Sequence, residues 1–325
     1  MIGAGAKAAG PTDVPGRRRR ASRSLAKQDA RIAYAFVAPA LLVVLVVVAV
    51  PIVWNIALSF QDLRLIELQD FNFLSTDVSL DNYRRVTSGG FRELLLRTFV
   101  YAIAGTSVAL LLGLWAALVV RKAFPGQRLV RGLLLFPYVV PVVAAALLWR
   151  TMLNPQYGII NSWLEGLGGQ PVNFLLQRDG ELFGIKVPMA FTVVVLFEGW
   201  RSFPFAFLFI LARLQAMPQE LGEAAIVDGA TPLQRFRHLV MPELKAVFAT
   251  IFLLRFIWTF NAFDEVYLLT AGAAGTELVS IEVVNWLFGR LNVGAAAALS
   301  IVLAATLALT LAVYFKWFYP KESLA

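Results

Sequence analysis

Cysteine is absent from the 325-residue chain, histidine occurs once, at His238, and charged residues make up only 15% of the whole. Without cysteine there are no disulfides, no thiolate metal sites and no thiol nucleophiles. A single histidine excludes a metal centre built on imidazoles. No lysine follows a glycine, so the GxxxxGK[ST] loop that cradles nucleotide phosphates is missing. Neither G-x-S-x-G nor H-E-x-x-H occurs, which removes two common hydrolase constellations. Charge is scarce by the standard of soluble domains, where about a quarter of residues are charged. What is abundant is apolar surface: 59% of the residues are hydrophobic. Length alone would suggest two soluble domains, but the apolar residues are gathered into blocks as long as a bilayer is thick.

A bilayer core takes about 20 apolar residues of helix. Ile32 to Phe60 carries no charge, and Thr98 to Val120 and Leu291 to Phe315 are equally clear. Gly132 to Trp149 is shorter. Val187 to Ala212 is interrupted by Glu198 and Arg201, and Ala246 to Thr270 by Arg255, Asp264 and Glu265. The expectation is an all-α membrane protein with six spans, at about 32–60, 95–120, 131–153, 187–213, 246–270 and 291–316, within a membrane domain of 31–320. Pro39, Pro51, Pro137, Pro141 and Pro204 fall inside spans, where neighbouring helices can satisfy the carbonyls they free.

Basic residues set the orientation. Eighteen lie in the tail before the first span (Lys7, Arg17 to Arg20, Arg23, Lys27, Arg31), the second connection (Arg121, Lys122, Arg128, Arg131), the fourth (Arg213, Arg235, Arg237, Lys245) and the C-terminus (Lys316, Lys321). Seven lie in the other three connections. By the positive-inside rule both termini are cytoplasmic, which six spans allow. That distribution follows a membrane, so the net charge of +8 does not point to nucleic acid. Residues 1–30 read as a disordered basic tail rich in Gly, Ala and Pro near its start. Arg17 to Arg20 preceding an apolar run resembles an export signal, but the run is too long and no small-residue cleavage site follows it.

The connection between spans 4 and 5, residues 217–242, reads as two short helices. Pro218 suits a first turn, with Glu220 and Glu223 near that N-terminus, where the dipole favours acids. Gly229 supplies a left-handed stop. Thr231 then caps a second helix with Pro232 at its first position. Leu233, Phe236, Leu239 and Val240 form an apolar stripe at helical spacing, and Pro242 closes the unit before span 5. A bland connection would be a few residues long, so this one is expected to dock on something. An amphipathic pair lying on the membrane surface would favour Lys and Arg, whereas the first helix carries only acids.

Glu223-Ala224-Ala225, then Asp228-Gly229-Ala230, then Phe236 and Pro242 resemble the EAA loop of binding-protein-dependent ABC importer permeases, in the version of the carbohydrate-type, maltose-transporter-like subfamily. Trp200-Arg201-Ser202-Phe203-Pro204-Phe205, Ala212 to Met217, Phe136-Pro137, and Asn261 through Thr270 are similar to residues of the same subfamily. After Thr270 that family usually has a Gly-Gly-Pro turn, whereas this chain reads Ala271-Gly-Ala-Ala-Gly-Thr276. The resemblance implies a type I ABC permease fold whose cytoplasmic loop, through Glu223, Ala224, Ala225, Asp228, Gly229, Phe236 and Pro242, couples to a separate ATPase. It implies a second permease subunit, an ATPase dimer holding ATP and Mg, an extracytoplasmic binding protein and a bacterial inner membrane. The cargo it implies is a sugar, oligosaccharide or polyol, with glycerol phosphate esters handled by close relatives. No cofactor and no enzymatic activity are expected on this chain. The alternative, an ion-coupled secondary transporter, would show an internal repeat or paired broken helices, and no repeat is seen in the sequence.

Charged groups at bilayer depth are functional candidates. Glu198 and Arg201, three apart, either pair with each other or line the path. Leu254, Trp258, Asn261, Glu265 and Leu268 fall on one helical stripe. A ring beside an amide and a carboxylate suits a sugar, whose C–H face stacks while its hydroxyls bond. Asp264 and Glu265 could instead lie near outer water and only cap or form salt bridges.

Overall fold

A computed structural model of the chain describes residues 32–70, 78–182 and 185–318. The expected basic tail with Arg17 to Arg20, and the terminal Lys321, lie outside the described residues. The chain divides into two units, one ending at Ala57 and one beginning at Leu58. The described part of the first is helix α1, Ile32–Ser59, which runs into the second. Its side chains from Ile32 to Val53 are exposed, as an apolar helix in lipid would be.

The second unit opens with α2, Asp81–Thr87, and α3, Phe91–Val119. Then come α4, Gln127–Val139, and α5, Val142–Met152, bent 97° against each other. The third span is therefore not the continuous helix expected over 131–153. Val140, which precedes Pro141, is extended (φ −66°, ψ 132°), because proline's ring drives its predecessor out of the helical region. Helix α6, Ile159–Gly166, and a hairpin of β1, Gly180–Leu182, and β2, Ile185–Val187, precede α7, Met189–Ala216. Helix α8, Gln219–Val227, leads to α9, Pro232–Phe260, and α10, Asp264–Thr270, bent 51° from it. Helices α11, Val279–Gly289, and α12, Val293–Phe318, complete the described chain. Among the described residues four helices are long and apolar enough to cross a membrane, and up to six spans result if each bent pair counts as one.

The expectation that Pro242 closes a separate helix before span 5 is corrected. The helix runs unbroken from Pro232, and Pro242 lies inside it. A π-turn at Phe236–Val240 sits just before it, where Met241 donates to the Phe236 carbonyl. Proline lacks the N–H and crowds the carbonyl four residues back, and the wider turn makes room. Leu45–Ala49 before Pro51 repeats the device in α1.

The most extensive packing joins α3 to α7, and it depends on small residues. A Cβ on Gly105 would meet Glu198 Cγ at 2.8 Å, and one on Gly113 would meet Ala206 Cβ and Phe207 N at 2.8 Å. With Ala109, fully buried between them, they place small residues every fourth position. Helices associate in lipid by such close approach, since lipid is as apolar as the side chains. Gly113→Leu is accordingly expected to cost about 1–3 kcal/mol by overpacking. Thermal unfolding of the purified subunit reads this, and an unchanged midpoint would contradict the packing.

Around the chain between α1 and α2, Asn82 Nδ2 donates to the Ser59 and Gln61 carbonyls at 3.2 and 2.8 Å. Val293 N donates to the Leu63 carbonyl at 2.9 Å and Leu65 N to Leu291 at 2.8 Å. Arg85, 3.1 Å from Asp62, holds that carboxyl below its usual range. The turn at 271–276 is built on left-handed residues: Ala271, Gly272, Ala274 and Gly275 all have positive φ. The buried Thr270 and Thr276 hydroxyls close it at 2.6 Å.

Candidate functional site

The loop between α7 and α9 is built by local chemistry. Helix α8 ends in a Schellman turn: Ala230 N donates to Ala225 O at 2.9 Å and Gly229 N to Ile226 O at 3.0 Å. Gly229, at φ 78°, takes the left-handed position that this turn requires. Thr231 then starts α9 with a capping box, its hydroxyl accepting from Gln234 N while the Gln234 side chain accepts from Thr231 N. Glu223, Ala224 and Asp228 are exposed, as are Leu221, Ile226, Val227 and Leu233, while Ala225 is half-buried. Phe236 turns inward and packs with Val240 against the α3–α7 core, whereas Pro242 is exposed on α9. At the loop's base Arg213, near the end of α7, forms an ion pair with Glu243 of α9.

Within the spans the charges pair between helices: the i,i+3 pairing open to Glu198 and Arg201 is not the one formed, while Glu265 does form a salt bridge. Glu198 does not pair with Arg201 on its own helix. It is buried, 1% exposed, and pairs with Arg255 of α9. Its Oε1 also accepts from Ser202 at 3.0 Å and Thr259 at 2.9 Å. Arg201 reaches instead to Glu265 at the start of α10, Nη1 to Oε1 at 3.0 Å. The pairs cross along antiparallel helices, and they fasten α7 to both sides of the α9–α10 bend. A polar cluster shared by several partners is what makes charge tolerable at this depth.

The stripe of Leu254, Trp258, Asn261, Glu265 and Leu268 is interrupted, because α9 ends at Phe260 and the bend occupies 261–263. Trp258 is 48% exposed, stands edge-on to Phe205 at 5.3 Å and lies 5.5 Å beneath the Arg255 guanidinium. Asn261 is exposed and donates to the Ile257 carbonyl at 2.8 Å. Asp264 is exposed in the first turn of α10. Sequence reasoning missed Arg255, Ser202 and Thr259 as site residues. For Arg255 the signal was present: three acids and two arginines interrupt the two apolar runs, so a buried acid has to take one of the arginines.

Apolar helices, straight and jointed, carry a paired-charge cluster within the spans and a structured polar loop between two of them. These features define a multi-pass membrane protein. Residues 109–321 match the family described as the binding-protein-dependent transport system inner membrane component. The trehalose/maltose transport system permease protein MalF of Thermococcus litoralis is 34% identical over 85% of this chain and 89% of its own length. The inner membrane ABC transporter permease protein YcjO of Escherichia coli is 36% identical over 85% and 90%. A solved bacterial ABC transporter involved in the import of the acidic polysaccharide alginate aligns with a TM-score of 0.72, 18% identity, and coverage of 91% of this chain and 99% of that one. This chain belongs to the family of binding-protein-dependent transport inner-membrane components, with the type I ABC importer permease fold.

Proposed function

We propose that the chain is one permease subunit of an ATP-driven importer for a sugar, oligosaccharide or polyol in the bacterial inner membrane. A second permease subunit completes the pathway, and an extracytoplasmic binding protein delivers cargo. A dimer of separate ATPase subunits holds ATP and Mg, because this chain has no phosphate-binding loop. The supporting observation is the loop. Helix α8 presents Leu221, Ile226 and Val227 beside Glu223 and Asp228, an apolar patch with acidic neighbours suited to a groove with basic groups. Ala224, Ala225 and Gly229 keep its backbone approachable, and Phe236 anchors the second arm in the core. The Arg213–Glu243 pair ties the loop's two ends, so a push on α8 reaches α7 and α9 together. The helices then rock between inward and outward openings.

Cargo would pass the face of Trp258, Asn261, Glu265, Arg201 and, behind them, Glu198. Arg201 and Glu265 are partly open, with side chains 25% and 15% exposed. An ion pair open to lipid is costly, which favours water or a partner subunit against this face. The permeases named for trehalose and maltose support a saccharide cargo. The distribution of basic residues favours cytoplasmic termini and a cytoplasmic loop.

A single cysteine at Val227, which is 87% exposed, tests the reading in this cysteine-free chain. It is expected to cross-link to the ATPase in membranes and to resist impermeant reagents added to intact cells. Labelling from outside would overturn the orientation, and failure to cross-link in the active complex would overturn the docking.

A further inference from the structure

Helices α3, α9 and α12 enclose a cleft of about 190 Å³, walled by Phe99, Ile103, Phe252, Phe256, Leu311 and Tyr314. Phe252 stacks on Phe256 at 6.2 Å, and Phe99 stands 6.3 Å from Phe256. The two hydroxyls on the walls donate within the protein, Thr310 to the Thr306 carbonyl at 2.8 Å and Tyr314 to the Ala249 carbonyl at 3.1 Å. A buried water takes about two to four polar partners, which such walls do not offer. A cavity of about 150 Å³ lined by Leu, Ile and Phe stays dry and holds benzene. The cleft therefore suits an apolar occupant, and Ile103, 47% exposed, marks its open side.

Charge stands at one end of it. Lys245, Ala249, Phe252 and Phe256 follow one another at intervals of four, three and four residues along α9, which places them on one helix face. Lys245 is the last charge before the apolar run Ala246 to Leu254, and Lys316 is the first after the charge-free run Leu291 to Phe315. Both lysines are exposed, and neither forms an ion pair among the described residues. Basic residues that bound apolar runs in this way sit at the level of lipid headgroups. Phe256 lies about 16 Å along α9 from Lys245 at 1.5 Å per residue, the depth of one leaflet in a hydrocarbon core of about 30 Å.

The geometry points to a binding site for an anionic phospholipid, with an acyl chain in the cleft between α3, α9 and α12 and the headgroup phosphate on Lys245, with Lys316 beside it. A chain gains no hydrophobic energy by leaving bulk lipid, so retention comes from packing against the rings. Selectivity comes from the lysines, each worth about fivefold toward an acidic headgroup. In the orientation proposed above, the site faces the cytoplasmic leaflet. It goes beyond the importer reading and does not depend on the cargo.

The test uses the permease–ATPase complex reconstituted in nanodiscs of equal phosphatidylglycerol and phosphatidylcholine, then released into mild detergent, with retained lipids counted by native mass spectrometry. A symmetric bilayer makes the outcome independent of orientation. The native complex is expected to retain phosphatidylglycerol over phosphatidylcholine by at least about fivefold. Leu311→Trp, which fills the cleft, is expected to lose one retained phospholipid while the complex stays assembled. Lys245→Gln with Lys316→Gln leaves the cleft as it is, and should keep that lipid while lowering the headgroup preference by about fivefold or more. An unchanged lipid count in assembled Leu311→Trp would overturn the site, as would an unchanged headgroup preference in the lysine variant. If Leu311→Trp fails to assemble, the lysine variant decides alone. A photoreactive maleimide on Leu311→Cys is expected to capture phospholipid. Capture of the second permease subunit instead would give the cleft to a protein helix and overturn the inference.

Discussion

Arg255→Ala is expected to destabilise the subunit by about 3–5 kcal/mol, the largest effect of any single side-chain truncation in the spans. The substitution leaves Glu198, 1% exposed, as a buried carboxylate with only the Ser202 and Thr259 hydroxyls for company. Neutral donors do not replace a guanidinium, and no lipid or water supplies one. Packing follows, because Gly105 of α3 is fitted against the Glu198 stem and a shifted carboxylate would press on that helix. Replacing both members, as Glu198→Leu with Arg255→Met, is expected to recover most of the loss, since apolar pairs of similar volume commonly substitute for buried ion pairs. The measurement is the unfolding free energy of the purified subunit in detergent for both singles and the double. If Arg255→Ala costs no more than an exposed ion pair, about 0–1 kcal/mol, then the cluster does not fasten α7 to α9.

Features carried by local chemistry are legible in the sequence alone. The apolar lengths of Ile32 to Phe60 and Leu291 to Phe315 require only a count against bilayer thickness. Gly229, Thr231 and Pro232 act within four residues of themselves, so the left-handed turn and the cap at the start of α9 can be read from spacing. The third span is harder: Pro137 and Pro141 lie four apart, and only the second breaks the helix, since Pro137 stays inside α4. Pro242 misleads for the same reason, because a π-turn upstream absorbs it. The partners of Glu198 and Arg201 are not legible at all. An i,i+3 pair is a fair local guess, but which charge faces which depends on how α7 and α9 are rotated against each other. It is a tertiary outcome: Gly105, Gly113 and Gly199 let α3 press close to α7, and Gly105 also packs against Thr259 of α9.

Gly229→Val is expected to abolish coupled transport while leaving the subunit in the membrane. Gly229 has φ 78°, and a Cβ added there would meet nothing within 4 Å. Space is therefore not the obstacle; the backbone is. A β-branched residue in the left-handed region costs roughly 1–2 kcal/mol, enough to shift the loop's population by a factor of about 5–30. The Schellman bonds from Gly229 and Ala230 would loosen first, and α8 would lose its fixed angle to α9. An ATPase that closes on α8 would then move a slack arm, and Arg213 and Glu243 at its base would receive no push. Apolar length and flanking charge set the spans, and the change touches neither, so insertion should survive. Gly229→Asn is the control, because asparagine tolerates the left-handed conformation and should retain most activity. The assays are cargo-stimulated ATP hydrolysis and uptake in proteoliposomes, beside quantitation of the subunit in membranes. Full stimulated hydrolysis and uptake by Gly229→Val would reduce the loop to a connector, and the coupling role proposed for Glu223, Asp228 and their neighbours would go with it.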